Sequence, residues 1–522
     1  MGRNIKTNEL EEKLQTLGPS PTERLKDSLR QNLLLLQQAT GNSSDVLYKE
    51  FYVGKTNKVK AALVYIDGLV DKKIINDVLD LFINSMDQNE IWENGAENIS
   101  VMLDGLFIPI NQTKHMEMFR DVLADLLDGQ SILFIDGFAE AIAIDTSGQQ
   151  HRAIMQPTSQ MIVKGPQEAF TELLAINLSL VRKRIKHPNL WTESMEIGKI
   201  TKTNVVIMYI KGLADEGILQ EVRTRLNMID TDSIFESGNI EEFIEDHKFS
   251  MFPTMFNAER PDVVASDLTE GRVAIFVDGT PYVLTVPVVF IQLFQAAEDY
   301  YNRGDHGIIR TLRIFSFMVT LVAPAFYIAL TTFHQEMLQT TLLISIAAQR
   351  EAIPFPAFIE ALLMQTTFEI LREASIRMPR AIGPAVSIVG ALVLGEAVVQ
   401  AGLVSPAMVI VVSITALTTF MAPDFAVSVS QRIVRLSLMI LGASFGLFGI
   451  VIGLLALLLH LCSMHSFGVP YMAPFGPFNL DAQKDSLLRL PKWMMRKKPI
   501  VTQPNGIKTS NETNPSQDEQ EQ

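Results

Sequence analysis

The sequence predicts an α/β soluble N-terminal region of two duplicated subdomains, joined to an all-α polytopic transmembrane bundle. Three observations predict it. Residues 1–313 mix ordinary charge with short apolar runs punctuated by Asp-Gly turns. Those runs recur at a nearly constant offset. The long uncharged stretches are confined to 314–462, so the mean hydropathy of +0.19 averages two different solvents.

Residues 1–45 read as a polar lead, partly helical at best, without the apolar run of a signal peptide. The soluble part is therefore expected to stay in the cytoplasm, with the first apolar helix as its insertion signal. The duplication follows. Gly54-Lys55 and Lys58 recur as Gly198-Lys199 and Lys202, and 65–69 (YIDGL) recurs as 209–213 (YIKGL). Asp71, Ile74 and Val78 match Asp215, Ile218 and Val222, all at an offset of 144. Trp92-Glu93 and Gly95 match Phe235-Glu236 and Gly238. Phe134-Ile135-Asp136-Gly137 match Phe276-Val277-Asp278-Gly279, where the offset has drifted to 142. Chance matches do not keep register over about 90 residues, so this is an internal repeat.

Each repeat reads as a small α/β unit. Residues 61–66 form a buried strand, Asp67-Gly68 a turn, and Ile74, Val78 and Leu81 the apolar stripe of a helix. Residues 131–135 and 140–144 form two strands around Asp136-Gly137, repeated as 273–277 and 282–286 around Asp278-Gly279. A helix is expected over 166–185, with Pro166 in its first turn and Arg182-Lys183-Arg184 at its negative end. The boundaries read are 46–160 and 191–305 for the subdomains and 161–190 for the linking helix. The bundle takes 306–465, and a basic and then disordered tail takes 466–522.

In the membrane half, 314–333, 381–399, 405–421 and 433–461 are the apolar runs. A span needs about 20 such residues. Arg303, Arg310 and Arg313 before the first run place the soluble region on the cytoplasmic side. Gly442, Gly446, Gly449 and Gly453 allow close helix packing in lipid. Residues 340–378 are amphipathic or re-entrant: Arg350 and Glu351 interrupt an apolar stretch, Pro354 and Pro356 break it, and a polar helix follows from 357 to 376. Gln365, Thr366, Glu369, Arg372 and Glu373 share one arc of that helix. Three arrangements fit: an interfacial helix, a packed helix whose acids pair with Arg372 or Arg377, or a polar face lining a water-filled path in an oligomer. Glu360, Gln365, Glu369, Arg372 and Glu373 are the candidate path or gate residues. Crossing numbers do not close: five crossings put the C-terminus outside, whereas the basic cluster Arg489 to Lys498 argues for inside.

Several function classes drop out. A net charge of −14 disfavours nucleic acid as a partner, and membrane lipid is the simpler partner for the basic cluster. The one cysteine, Cys462, makes neither an internal disulfide nor a Cys-rich metal site. Phosphate-loop, nucleophile-elbow and zinc-protease motifs are absent, so no catalytic residue, cofactor or metal site is expected and the chain is not read as an enzyme. Secondary transport is a rival reading, although it wants inverted repeats in the membrane half, where none is visible. A non-conducting assembly scaffold is another.

Several runs resemble the GerA spore germination family, A-subunit type. They include Glu259-Arg260-Pro261-Asp262, Glu270-Gly271-Arg272-Val273, Asp278-Gly279-Thr280-Pro281 and Glu298-Asp299-Tyr300-Tyr301. In the membrane half they include His334-Gln335-Glu336-Met337, Pro354-Phe355-Pro356, Leu371-Arg372-Glu373-Ala374 and Arg377-Met378-Pro379. The resemblance spans roughly 45–475; Gln365 and Ser375 depart from the family pattern, which has Glu and Gly there. It implies a subunit of a nutrient germinant receptor in the spore inner membrane, acting with a permease-like B subunit and a lipoprotein C subunit. It further implies a homo-oligomer of A subunits that conducts ions.

Overall fold

In the computed structural model, residues 23–53, 59–85, 113–148, 156–158, 160–162, 164–301, 305–377, 393–478, 497–498 and 507–508 are described. The first repeat contains α1 (Leu29–Ala39), β1 (Val46–Val53), β2 (Val59–Ile66), α2 (Lys72–Ser85), β3 (Thr113–Met116), α3 (Phe119–Leu127), β4 (Ser131–Ile135) and β5 (Ala141–Ile144). The second contains α4 (Leu174–Arg182), β6 (Leu190–Ile197), β7 (Thr203–Ile210), α5 (Glu216–Asn227), α6 (Ser237–Ile244), β8 (Phe256–Ala258), α7 (Pro261–Thr269), β9 (Val273–Val277) and β10 (Val283–Val286).

The two five-stranded sheets have one topology. Their orders are β1-β2-β4-β5-β3 and β6-β7-β9-β10-β8, antiparallel throughout. β2 and β7 are apolar on both faces because each sheet is covered on both sides. Ala62, Val64 and Ile66 face α1 and α3, while Ala61, Leu63 and Tyr65 face α2. In the second repeat Val206, Met208 and Ile210 join the core of α4 and α7, and Val205, Ile207 and Tyr209 that of α5 and α6.

The repeated Asp-Gly pairs are turns that also anchor a helix. The Asp136 carboxylate accepts from Leu29 N at 2.9 Å, and Gly137 N donates to Asp27 O. Asp278 and Gly279 do the same with Leu174 N and Glu172 O. Asn32 bonds the backbone of Lys26, and Asn177 that of Thr171, in matching fashion. Thus α4 stands to the second sheet as α1 stands to the first. The expected helix over 166–185 is shorter, Leu174–Arg182. Its expected first turns are held extended instead: Phe170 N donates to Glu259 O, and Pro166 O accepts from Arg260. α1, within the polar lead, buries Leu29, Leu33 and Leu36.

The repeats are joined by a buried ion pair. Arg182 at the end of α4 donates to both oxygens of Asp45, at 2.6 and 2.8 Å, and Thr192 Oγ1 donates to the same carboxylate. Both ionic side chains are 2% exposed.

The C-terminal helices are α8 (Glu298–Tyr301), α9 (Asp305–Thr332), α10 (Thr340–Arg350), α11 (Ala357–Arg377), α12 (Pro406–Thr419) and α13 (Phe425–Ser463). A π-helical turn, Val393–Ala397, runs into Val398–Gln400; 381–392 lie outside the described residues. α9 and α13 carry apolar stretches long enough to cross a membrane. The second repeat's core continues into them through Phe290, Phe294 and Phe317, with edge-on ring pairs at 5.1–5.8 Å. Arg310 and Arg313, which sequence reading assigns to membrane orientation, are buried at this junction, and both bond Asp299.

The apolar run 433–461 is not one continuous helix. Gly446 breaks α13, with φ 63° and ψ −144°. A Cβ on Gly453 would lie 2.5 Å from Leu438, and one on Gly449 would lie 2.3 Å from Leu441 O. Residues this far apart along one helix meet only when it doubles back. The two arms are about 30 Å and 25 Å long at 1.5 Å per residue. Both open ends of this hairpin touch the same soluble segment: Ser430 bonds Met251 O, and Ser250 bonds His460 and Met464. Its tip meets His334 and Phe333, just past α9.

Residues beyond the hairpin return to the second repeat. His465–Ser466 pairs with Val469–Pro470 around Phe467 and Gly468, both at positive φ, as a two-residue hairpin turn of this hand requires. Phe467 N donates to Asp246, Ser466 Oγ to Thr254 O, and Tyr471 OH to Pro253 O. The stretch 466–472, which the sequence reading includes in the tail, therefore docks through buried Phe467 and Tyr471.

Candidate functional site

The five candidate residues lie on α11, but they fall into separate environments. Ala357, Glu360, Ala361, Met364 and Gln365 are its buried positions, at the i, i+3, i+4, i+7, i+8 spacing of a helix face. That face packs against α9, α12 and α13.

Glu360 is fully buried. Its Oε2 accepts from Ser405 N at 3.0 Å and Ser405 Oγ at 2.8 Å, while Oε1 lies 3.3 Å from Arg350 Nε. Ser405 is also the N-cap of α12, accepting from Met408 N. A carboxylate here is favoured by the positive end of the helix dipole. Glu360 therefore ties the starts of α11 and α12 to the end of α10.

Gln365 donates to Glu369 at 3.2 Å. Glu369 binds two arginines of the first arm of α13, Arg432 at 3.2 Å and Arg435 at 3.1 Å. Arg435 is 2% exposed, so its charge depends on Glu369 for compensation. The Arg372 guanidinium sits 5.9 Å from the Phe420 ring, which also packs edge-on against Phe368 at 6.4 Å. Glu373 pairs with Arg377 on the exposed side. The structure thus brings Gln365 and Glu369 together, places Arg372 against the α12 end, and sets Glu360 and Glu373 apart. Arg432 and Arg435 are not among the candidate residues that the sequence singles out. Their spacing of three, matching one helix face, was the available signal that one carboxylate serves both.

A second polar centre lies where the soluble region meets the hairpin. Glu241 lies near both Glu245 and Asp424, and Asp246, which pairs with Arg225, lies near Glu245. Burial, with the neighbouring carboxylates of Glu241 and Asp246, pushes Glu245 up to about 7. Burial raises the Tyr471 phenol as well. Among the described residues no group of three or more His, Cys, Asp or Glu side chains is placed to hold a metal ion.

The chain thus combines a duplicated α/β region of matching antiparallel sheets with a helical region in which two helices are long and apolar enough to cross a membrane. The model of the Bacillus/Clostridium GerA spore germination protein family matches residues 35–501, and the chain belongs to that family. It is 48% identical to spore germination protein KA of Bacillus subtilis over 90% of this chain and 86% of that protein. It is 42% identical to the uncharacterised membrane protein YfkQ of the same organism, over 94% and 95%. It is 34% identical to spore germination protein GerLA of Bacillus cereus, over 90% and 94%. The crystal structure of the N-terminal domain of the A subunit of the Bacillus megaterium germinant receptor GerK3 matches with 39% identity. That match covers 52% of this chain and 99% of that one, with a TM-score of 0.42.

Proposed function

We propose that this chain is the A-type subunit of a nutrient germinant receptor in the spore inner membrane, and that it converts germinant binding into ion conduction by an oligomer of A subunits. A permease-like B subunit and a lipoprotein C subunit are its partners in this reading. The observation that carries it is Glu369. This carboxylate joins the polar helix α11 to the first arm of α13, and that arm contacts the soluble segment at Met251. A shift of the soluble region is thereby transmitted to the helix with the polar face. A germinant drives such a shift only by its differential affinity for the two arrangements.

The contact order supports a six-crossing topology. α9 runs away from the soluble region, α11 and α12 each return towards it, which requires one outward crossing between them, and the two arms of α13 go out and back. Six crossings put both termini on one side, with the basic cluster 489–498 facing the cytoplasm or spore core, as positive charge prefers. The fold-back at Gly446 supplies the crossing that five apolar segments lack.

The test is conductance of the reconstituted complex. Glu369→Gln and Glu373→Gln, alone and together, are expected to change ion selectivity or the open fraction. Wild-type selectivity and open fraction in both variants would remove α11 from the conduction path. Deletion of the gene, scored across single nutrients, identifies the germinant.

A further inference from the structure

The segment joining α6 to β8 makes a tight turn over 247–250, closed by Ser250 N donating to His247 O at 2.8 Å. At its tip Phe249 is fully exposed (102%), and Met251 just after it is 45% exposed. We propose that this turn is a membrane-surface wedge: the Phe249 ring inserts among lipid acyl chains beside the α13 hairpin, with Lys248 at the level of the lipid phosphates. The proposal rests on the reading that the hairpin crosses a membrane.

The height of the turn follows from its partners on α13. Ser250 Oγ bonds His460 at 3.1 Å and Met464 at 3.2 Å, and Met251 O accepts from Ser430 Oγ. Ser430 lies five residues past Phe425, the first residue of α13, and His460 lies three before Ser463, the last. At 1.5 Å per residue these contacts fall roughly 7.5 Å and 4.5 Å inside the open ends of the hairpin. The second arm, at about 25 Å, is shorter than a hydrocarbon core of ~30 Å, so acyl chains extend to its last turn. Leu455, Leu458 and Leu459 on that arm are 49–63% exposed, and Val429 and Ile433, on either side of Ser430, are exposed as well. Phe249 and Met251 therefore continue a lipid-facing apolar band from the helices onto the soluble region. That continuity makes lipid the occupant.

The turn is also fixed in place. His247 Nε2 accepts from His465 N, and Ser250 Oγ accepts from Phe252 N. Pro253 O accepts from Tyr471 OH, and Thr254 O from Ser466 Oγ. An exposed ring on a backbone held at both flanks enters lipid with little further loss of chain entropy. The turn itself carries no acid, and Asp246 before it is taken by Arg225 and Phe467 N. Lys248 is exposed and has the sign that anionic headgroups attract. Apolar side chains of interfacial segments reach about 5–10 Å into the headgroup and acyl boundary, the depth range that the α13 contacts give this turn. Inserted there, Phe249 pins the link between α6 and β8 to the bilayer, and the second repeat moves against the helices by pivoting on it.

The experiment uses the full chain in nanodiscs of phosphatidylcholine and phosphatidylglycerol. Cys462→Ser removes the one native cysteine. Phe249→Cys, Leu455→Cys and Tyr52→Cys then each carry a single spin label: on the turn, on the second arm and on the first repeat. Power saturation compares access by oxygen, which concentrates in lipid, with access by a water-soluble nickel chelate. The oxygen-to-nickel ratio should exceed unity at 249 and 455 and fall below unity at 52. Phe249→Trp, without a label, should add emission that brominated acyl chains quench, over the background of Trp92, Trp191 and Trp493 in the wild type. Lipid access at 455 with a water-like ratio at 249 and no added quenching would overturn the wedge while sparing the membrane reading. An immobile label at 249 shielded from both reagents would overturn it in favour of protein cover. A water-like ratio at 455 would remove the membrane reading and the wedge with it.

Discussion

Replacing Gly446 by alanine tests the fold-back that sets the geometry of the helical half. The backbone there, φ 63° and ψ −144°, is close to territory that only glycine enters freely. A side chain held in such a region costs about 1–3 kcal/mol. The new Cβ would also stand 2.6 Å from His334 Cε1 and 3.1 Å from Phe333 Cβ. The imidazole can turn aside, but the Phe333 Cβ is carried by the backbone, so part of an overpacking cost of ~1–3 kcal/mol remains. Against this, alanine lowers the entropy of the unfolded chain, worth about 0.4–1 kcal/mol. The net expectation is a loss of about 2 kcal/mol in unfolding in micelles. His334→Ala should relieve the steric part of that loss and leave the backbone part. Labelling of Cys462, the one cysteine and an exposed one, gives an independent reading. In the wild type a membrane-impermeant maleimide should reach it from the side of the soluble region. A change under about 0.5 kcal/mol in Gly446→Ala, within the scatter of ordinary surface substitutions, would refute the strained hairpin tip. Labelling of Cys462 from the opposite side would refute the fold-back itself.

Two more predictions concern the soluble region. Arg182→Met leaves Asp45 buried and uncompensated, so about 3–5 kcal/mol of stability should be lost. Pairing it with Asp45→Leu should recover much of that in a thermal melt, because apolar replacement of a whole buried pair is often neutral. Glu245 should make stability pH-dependent. Its carboxyl, raised from 4.5 to about 7, stays protonated in the folded protein where the unfolded chain has ionised. Its contribution is therefore full below about pH 4.5 and is lost as pH rises through 7. The melting temperature should fall across that window, and Glu245→Gln should flatten the fall; an unchanged profile in Glu245→Gln would assign the dependence to another group.

Much of the fold is legible in the sequence because it is local and periodic. Residues 61–66 and 205–210 are unbroken apolar runs, and Asp136-Gly137 and Asp278-Gly279 are turn dipeptides with few alternatives. Asp71 and Asp215 stand before helices, and Asp215 does cap α5 through Gly217 N. The site is less legible. Five polar residues share an arc of α11, yet periodicity does not reveal that Glu369 meets arginines more than 60 positions away or that Glu360 caps α12 through Ser405.

The sequence by itself determined that the chain is duplicated, that its second half is apolar, and which residues are too polar for that setting. Each of these is a property of composition and spacing along the chain. Tertiary structure alone decided where the polar residues find their charges and which glycine turns the last helix back. Gly442, Gly446, Gly449 and Gly453 look alike as small residues in an apolar run. Only Gly446 takes the positive φ, because it alone falls where the hairpin reaches the end of α9 and its arms return to the soluble region.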